Sequence, residues 1–133
     1  MSRLFADAFY FVARLNRADP AHRRANELTG RLRQHLITTE WVLTEVADAL
    51  CHPQHRETVA RFLEILPEDP TVTIIPATHD LFREGLHFYY SRHDKHWPLT
   101  DCISFVVMED EEIHDALTGD HHFEQAGFRA LLK

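Results

Sequence analysis

Cysteine, glycine and lysine are scarce in this chain of 133 residues, and each shortage excludes a class of protein. The two cysteines, Cys51 and Cys102, stand 51 residues apart and form no Cys-x-x-Cys pair, which leaves no disulfide framework and no thiolate zinc site. Both fall in segments that read as helices, as expected of thiols kept reduced in a cytoplasm. Four glycines, six prolines and the lack of any biased tract rule out fibrous and low-complexity chains. Long apolar runs are missing as well. Leu4 to Ala13 is interrupted by Asp7 and has neither a basic leader nor a small-residue cleavage site, so neither export nor membrane anchoring is expected. What remains is an ordinary globular composition, 44% hydrophobic and 26% charged, of a size that predicts one domain over 1–133 with a single core.

The net charge of −7 is unevenly spread. Residues 1–35 hold seven arginines against Asp7, Asp19 and Glu27, a local +4, which leaves −11 for the rest. A basic first quarter on an acidic body is either a phosphate-facing patch or an arginine-rich solvated helix.

Periodicity predicts strands alternating with helices. Leu4-Phe5-Ala6 reads as a short strand ending at Asp7, and Phe9, Val12, Ala13 and Leu15 then recur at helical spacing. Asp19-Pro20 looks like the start of a second helix running to Arg33, with Ala21, Ala25, Leu28 and Leu32 as its apolar stripe. His35 to Thr38 is a second strand, and Thr38-Thr39 caps a helix from Glu40 to about Cys51 that stops before His52-Pro53. Another helix covers Gln54 to Leu66, and the β-branched run Val72 to Ile75 is a third strand. Thr78 can cap a helix to Arg92, and a loop from His93 to Leu99 follows. Thr100 is expected to cap a helix from Asp101 to about Asp110, apolar nearly all round and therefore buried. Ile113–Thr118 and Phe128–Leu132 read as two last strands around a loop or short helix from Asp120 to Gly127. Such alternation argues for an α/β fold with a parallel sheet sandwiched by helices.

Ligands of open parallel sheets gather beyond the carboxyl ends of the strands, which makes Asp7 and Asp120 functional candidates by position. Each is also a plausible turn former. Asp101 opens the buried helix, where free amides and the helix dipole favour an anion, so a purely structural role would also account for it. Glu45 lies on the helical wheel at the margin of the arc formed by Val42, Leu43, Val46, Ala47, Ala49 and Leu50, leaning toward the core, although its stem could snorkel. Four acids near one interior repel each other unless protonated, paired or bound to metal. The neighbouring sequence offers few cations, and an oxygen-only set suits Mg²⁺ or Mn²⁺.

Leu-Phe-Ala-Asp-Ala (4–8), Thr-Glu-Val (44–46), Leu-Thr-Asp-Cys (99–102) and Leu-Thr-Gly-Asp-His-His-Phe (117–123) followed by Ala-Gly-Phe (126–128) together resemble a PIN domain, the metal-dependent ribonuclease fold of VapC-type toxins. The likeness covers essentially the whole chain, and its last piece is the most specific. It implies a PIN-like three-layer sandwich with strand order 3-2-1-4-5 and frequent dimerisation. Carried over residue by residue, it implies that Asp7, Glu45, Asp101 and Asp120 are metal-binding catalytic acids, that Thr118 supplies a supporting hydroxyl, and that Asp94 is a further acid. An antitoxin protein is the implied partner and RNA the implied substrate. Cleavage by metal-assisted water attack would leave 5′-phosphate and 3′-hydroxyl ends. Arg14, Arg17, Arg23 and Arg24 are the candidates for holding flanking phosphates.

The remaining signals weigh less. Eleven histidines include His93 with His96 and the pair His121-His122, but without thiolates or fixed spacing they make no zinc motif. His121, next to Asp120, is the best placed to act as an acid or touch RNA. Trp41, Trp97 and Tyr89-Tyr90 could stack on bases, but beside leucines at helical spacing they read as core or as an interface, and the aromatic helix at 78–92 offers a homodimer surface. An aspartyl-phosphate mechanism is disfavoured, because no Asp-x-Asp follows the first strand and Lys95 and Lys133 are the only lysines. The rival that survives is a non-catalytic RNA-binding or protein-interaction module on the PIN scaffold.

Overall fold

The first strand, β1 (Arg3–Ala6), runs through the middle of a five-stranded sheet and ends where Asp7 turns the chain into α1 (Ala8–Leu15). The computed structural model describes residues 2–133. After α1 come α2 (His22–Thr29), β2 (His35–Thr39), α3 (Glu40–Ala49) and α4 (Pro53–Ile65), with a 3₁₀ turn at Leu66–Glu68. The second half runs β3 (Val72–Ile75), α5 (His79–Ser91), α6 (Leu99–Asp110), β4 (Asp115–Leu117), α7 (His121–Gln125) and β5 (Arg129–Ala130).

All strand pairs are parallel and the order is β3-β2-β1-β4-β5, the α/β arrangement expected. In register, Phe5 lies opposite Ile37 on one side and Ala116 on the other. A central strand of this kind is apolar on both faces, and Leu4, Phe5 and Ala6 are all buried. From β1 the chain moves to β2 on one side, and after β3 it crosses to β4 on the other. The point of divergence lies beyond the carboxyl ends of β1 and β4, where a crevice opens.

Helices flank the sheet. α1 packs on α2 and α3, and α3 on α4, while α5 lies along α6. α6 is buried nearly all round, from Asp101 through Phe105 and on to Val107 and Met108. Its approach to α5 needs Gly85, where a Cβ would come within 2.3 Å of the Ile103 side chain. The Phe105 ring packs against Phe123 (4.9 Å between centroids) and Trp97 (5.2 Å), joining α6 to α7 and to the loop before it.

Local chemistry redraws several boundaries. The Asp19 carboxylate accepts from the Ala21 amide (2.8 Å) and makes a turn, so α2 starts at His22 and stops at Gly30 instead of spanning Asp19 to Arg33. α6 begins at Leu99 behind Pro98, whose restricted φ suits a helix start, and Thr100 falls inside the first turn without capping it. Thr39 and Thr78 do cap, accepting from the Val42 and Leu81 amides. Cys51 lies just past the end of α3 and is exposed, whereas Cys102 is buried in α6. The last two strands are shorter than expected, β5 being a two-residue edge strand.

Candidate active site

Four carboxylates converge on the crevice. Asp7 follows β1, Glu45 points from the middle of α3, Asp101 lies in the first turn of α6, and Asp120 caps α7 after β4. All four line one open cleft of about 660 Å³, together with Phe9, Asp19 and Asp48. Oxygens of Asp7, Glu45 and Asp101 lie within 4.8 Å of one another. Asp7 and Asp101 are only 3% and 4% exposed, which is unusual for acids without a cationic partner.

Side-chain hydrogen bonding holds Asp7 by one oxygen only. Thr118, buried at the end of β4, donates its hydroxyl to Asp7 Oδ2 (2.8 Å), and the same hydroxyl accepts from the Asp120 amide (3.1 Å). One threonine thereby sets two of the four acids. The other oxygen, Asp7 Oδ1, is buried and has no hydrogen-bond partner among the described residues. Asp120 in turn accepts from the His122 amide (2.9 Å), so capping α7 fixes its carboxylate toward the cleft.

Burial and mutual repulsion set the protonation of the group. Burial, with Asp120 nearby, raises the Asp7 carboxyl to about 6 despite the Thr118 hydrogen bond. Glu45 is raised to about 7, first by burial and then by Asp7, Asp120 and Asp48. Asp101 is raised too, by burial and then by the charges of Asp7, Asp120 and Glu45. No lysine or arginine is bonded to any of the four among the described residues. Arg3 pairs with Glu111 (2.7 Å) and Arg129 with Asp115 (3.5 Å).

A single imidazole enters the cluster. His122 Nδ1 lies 3.2 Å from Asp101 Oδ2, with which it shares a hydrogen bond, and 3.2 Å from Asp120 Oδ1. His121, the histidine favoured by position in the sequence, is exposed, with its ring nitrogen 3.6 Å from Asp120. The helix explains the exchange. Asp120 is the N-cap, and the residue two positions on is the one that folds back over it.

No protein-family model and no curated protein matches the chain. Solved structures do. VapC20 of Mycobacterium tuberculosis, a sarcin–ricin-loop-cleaving toxin, superposes with a TM-score of 0.86 at 23% identity, over 94% of this chain and 95% of that one. VapBC2 of Rickettsia felis, bound to a DNA fragment from their promoter, gives 0.67 at 12% identity, over 96% of each. Both are PIN-domain VapC proteins, and the strand order is the one their fold implies. This chain has the PIN-like fold.

The PIN-like fold brings together Asp7, Glu45, Asp101, Asp120 and Thr118, and leaves the other candidates apart. Asp94 is held at the surface by Arg92 (3.1 Å) and Lys95 (3.8 Å) and does not line the cleft. Arg14 bonds to Asn26 (3.0 Å) and Arg23 to Glu27 (3.2 Å) on the exposed side of α1 and α2, where Arg17 and Arg24 are also exposed; none of these four lines the cleft. Asp48, which the helical wheel turns away from the core, nonetheless lines the cleft, one helical turn beyond Glu45 on a shared face. Sequence reasoning also misses Phe9, whose ring fills the space a Cβ on Gly119 would take, 2.5 Å away. Gly119 thus lets an aromatic wall stand against the turn that carries Asp120.

Proposed function

We propose that the chain is a metal-dependent endoribonuclease that hydrolyses RNA phosphodiester bonds at the Asp7, Glu45, Asp101 and Asp120 cleft, and that it acts as the toxin of a toxin–antitoxin pair. One observation carries the reading: Asp7 Oδ1 is a buried carboxylate oxygen without a hydrogen-bond partner, on an acid that places an oxygen within 4.8 Å of oxygens from two other acids. A protein retains such an arrangement at a cost unless a cation from outside offsets it. The donors fit Mg²⁺ or Mn²⁺, since they are hard oxygens in an open cleft with room for waters and phosphate.

Asp7, Glu45, Asp101 and Asp120 would hold the ion. When bound, a divalent cation supplies Lewis acidity, easing ionisation of water and offsetting charge on the phosphate and the leaving 3′ oxygen. The chain does the positioning. Thr118 keeps Asp7 and Asp120 in register, while the His122 ring bonds Asp101 and the His122 amide donates to Asp120. Phe9 walls one side of the cleft and limits water there. Arg14, Arg17, Arg23 and Arg24 would neutralise phosphates distant from the cut, so that affinity falls with salt.

The likeness to VapC20 and to the VapBC2 complex supports RNA as the substrate class and an antitoxin protein as the inhibitor. Titration calorimetry with Mn²⁺ and Mg²⁺, followed by a pool of labelled RNAs, tests the reading on wild type and on an Asp7→Asn, Asp120→Asn double variant. Wild type is expected to bind metal and cut RNA, leaving 5′-phosphates, while the variant does neither. Wild type that binds no metal would overturn the nuclease and leave the non-catalytic RNA-binding or protein-interaction module.

A further inference from the structure

The connection from α5 to α6 is unlike the rest of this acidic chain. Residues 87–97 carry one acid, Asp94, with Arg92, Lys95, three histidines and four aromatic side chains. They enclose a second cleft of about 630 Å³, with Tyr89, Tyr90, His93 and His96 at its exposed rim and Trp97 at its floor. Pro98 lines both this cleft and the acidic one, so the two adjoin at the start of α6.

The cations here are pre-positioned. The Arg92 guanidinium lies 5.0 Å over the Trp97 ring and Lys95 Nζ 5.9 Å from it. Trp97 is itself fixed, stacked on Phe88 (5.7 Å), edge-on to Phe105 and donating its indole N–H to Gln125 Oε1 (3.0 Å). Tyr89 and Tyr90 are 46% and 64% exposed, their rings edge-to-face at 6.1 Å. Both are among the few large hydrophobic side chains left exposed. Aromatic faces beside ordered cations match a single nucleic-acid strand, whose bases stack while its phosphates find charge.

We propose that this cleft is an RNA-docking shoulder: Tyr89 and Tyr90 stack bases, Arg92 and Lys95 bind phosphates, and the strand is led past Pro98 to the acidic site. The inference rests on the nuclease reading. The four acids repel a phosphate strand, so anchoring from outside their cleft is what delivers it. The cations ordered beside the exposed rings match a phosphate strand, and a second copy of the chain is the occupant that the test separates from it.

The test uses the whole protein and a fluorescein-labelled ten-nucleotide single-stranded RNA of mixed sequence, read by anisotropy in EDTA at low salt. A Tyr89→Ala, Tyr90→Ala variant should weaken binding about tenfold. Arg92→Gln with Lys95→Gln should weaken it and flatten its salt dependence, and Asp94→Asn, which frees both cations, should strengthen it. In cleavage with Mn²⁺ the losses should fall on KM, with kcat held. Wild type that binds and cuts RNA while every variant matches it would overturn the shoulder and leave the nuclease standing. Variants that turn a dimer into a monomer by light scattering, with binding per chain unchanged, would make the patch a contact between copies instead. Wild type that neither binds nor cuts would overturn both readings.

Discussion

Asp94 and Asp101 stand seven residues apart in the chain and occupy opposite environments. Asp94 is exposed and clasped by Arg92 and Lys95, and the Arg92 guanidinium holds its carboxyl below the usual carboxylate range. Asp101 is buried, faces three other acids and has only His122 beside it, and its carboxyl is pushed upward. The cations of this region thus go to the acid that water already solvates, while the acids that lack water also lack cations. Propensity and packing do not require that distribution. A site whose compensating charge arrives from outside does.

Removing one buried charge gives the sharpest break in this contrast. Asp101→Asn keeps the size and the first turn of α6 but takes away an anionic donor, and RNA cleavage in Mn²⁺ or Mg²⁺ should fall more than about a hundredfold. Circular dichroism should match wild type. Cleavage at the wild-type rate would remove Asp101 from the mechanism.

Stability tests the same contrast without any substrate. The folded Asp7 carboxyl, near 6 against a usual 3.8, binds its proton more tightly than the unfolded chain does. Stability from this group is therefore full below pH 3.8 and is lost as pH rises through 6, and Glu45 extends the loss to about 7. Metal-free protein should melt higher at pH 5 than at pH 8. Asp7→Asn removes the ionisation and should stabilise the metal-free protein at pH 8 by about 3 kcal/mol. Adding Mg²⁺ or Mn²⁺ should raise the wild-type melting temperature more at pH 8 than at pH 5. A melting temperature that rises from pH 5 to pH 8 without metal would contradict the unpaired burial of these acids.

Thr118→Val probes the support alone. The substitution keeps the β-branched shape but removes the donor to Asp7 and the acceptor for the Asp120 amide. Metal affinity measured by calorimetry should drop by about tenfold or more. Metal-free stability should fall by about 1–3 kcal/mol, the cost of leaving buried polar atoms unpaired. Unchanged affinity would mean that Asp7 is held by its backbone position in β1 and α1 alone.

Much of this arrangement was legible in the sequence because it depends on local periodicity. Leu4 to Ala6 running into Asp7, and the β-branched Val72 to Ile75, mark strands through patterns of a few residues. Glu45 could be aimed at the interior from the helical wheel alone. The parts that escaped depend on contacts distant in sequence or on turn chemistry. Asp19-Pro20 has the pattern of a helix start, but the Asp19 carboxylate closes a turn and the residue lines the cleft. Adjacency to Asp120 favours His121 but says nothing about which ring a cap folds back over it, and that ring is His122. Asp94 belonged to the acidic set by resemblance, and only the placement of Arg92 and Lys95 around Trp97 shows that it serves that trio.

The smallest expected effect comes from that trio. Asp94→Asn removes a carboxylate that is largely solvated, and water takes its place beside Arg92, while the Trp97 face keeps both cations ordered. The melting temperature at pH 7 should match wild type at low and high salt. The pH dependence of this pair has the opposite sign to that of Asp7. A carboxyl held below 3.8 in the folded chain lends its stability above that pH and loses it as pH falls, but for a pair this exposed the amount is too small to separate wild type from variant at either pH. A drop at pH 7 as large as that of Thr118→Val would show that exposed pairing carries as much as buried support, and the contrast between the two aspartates would then no longer separate a solvated ion pair from a site held ready for a cation.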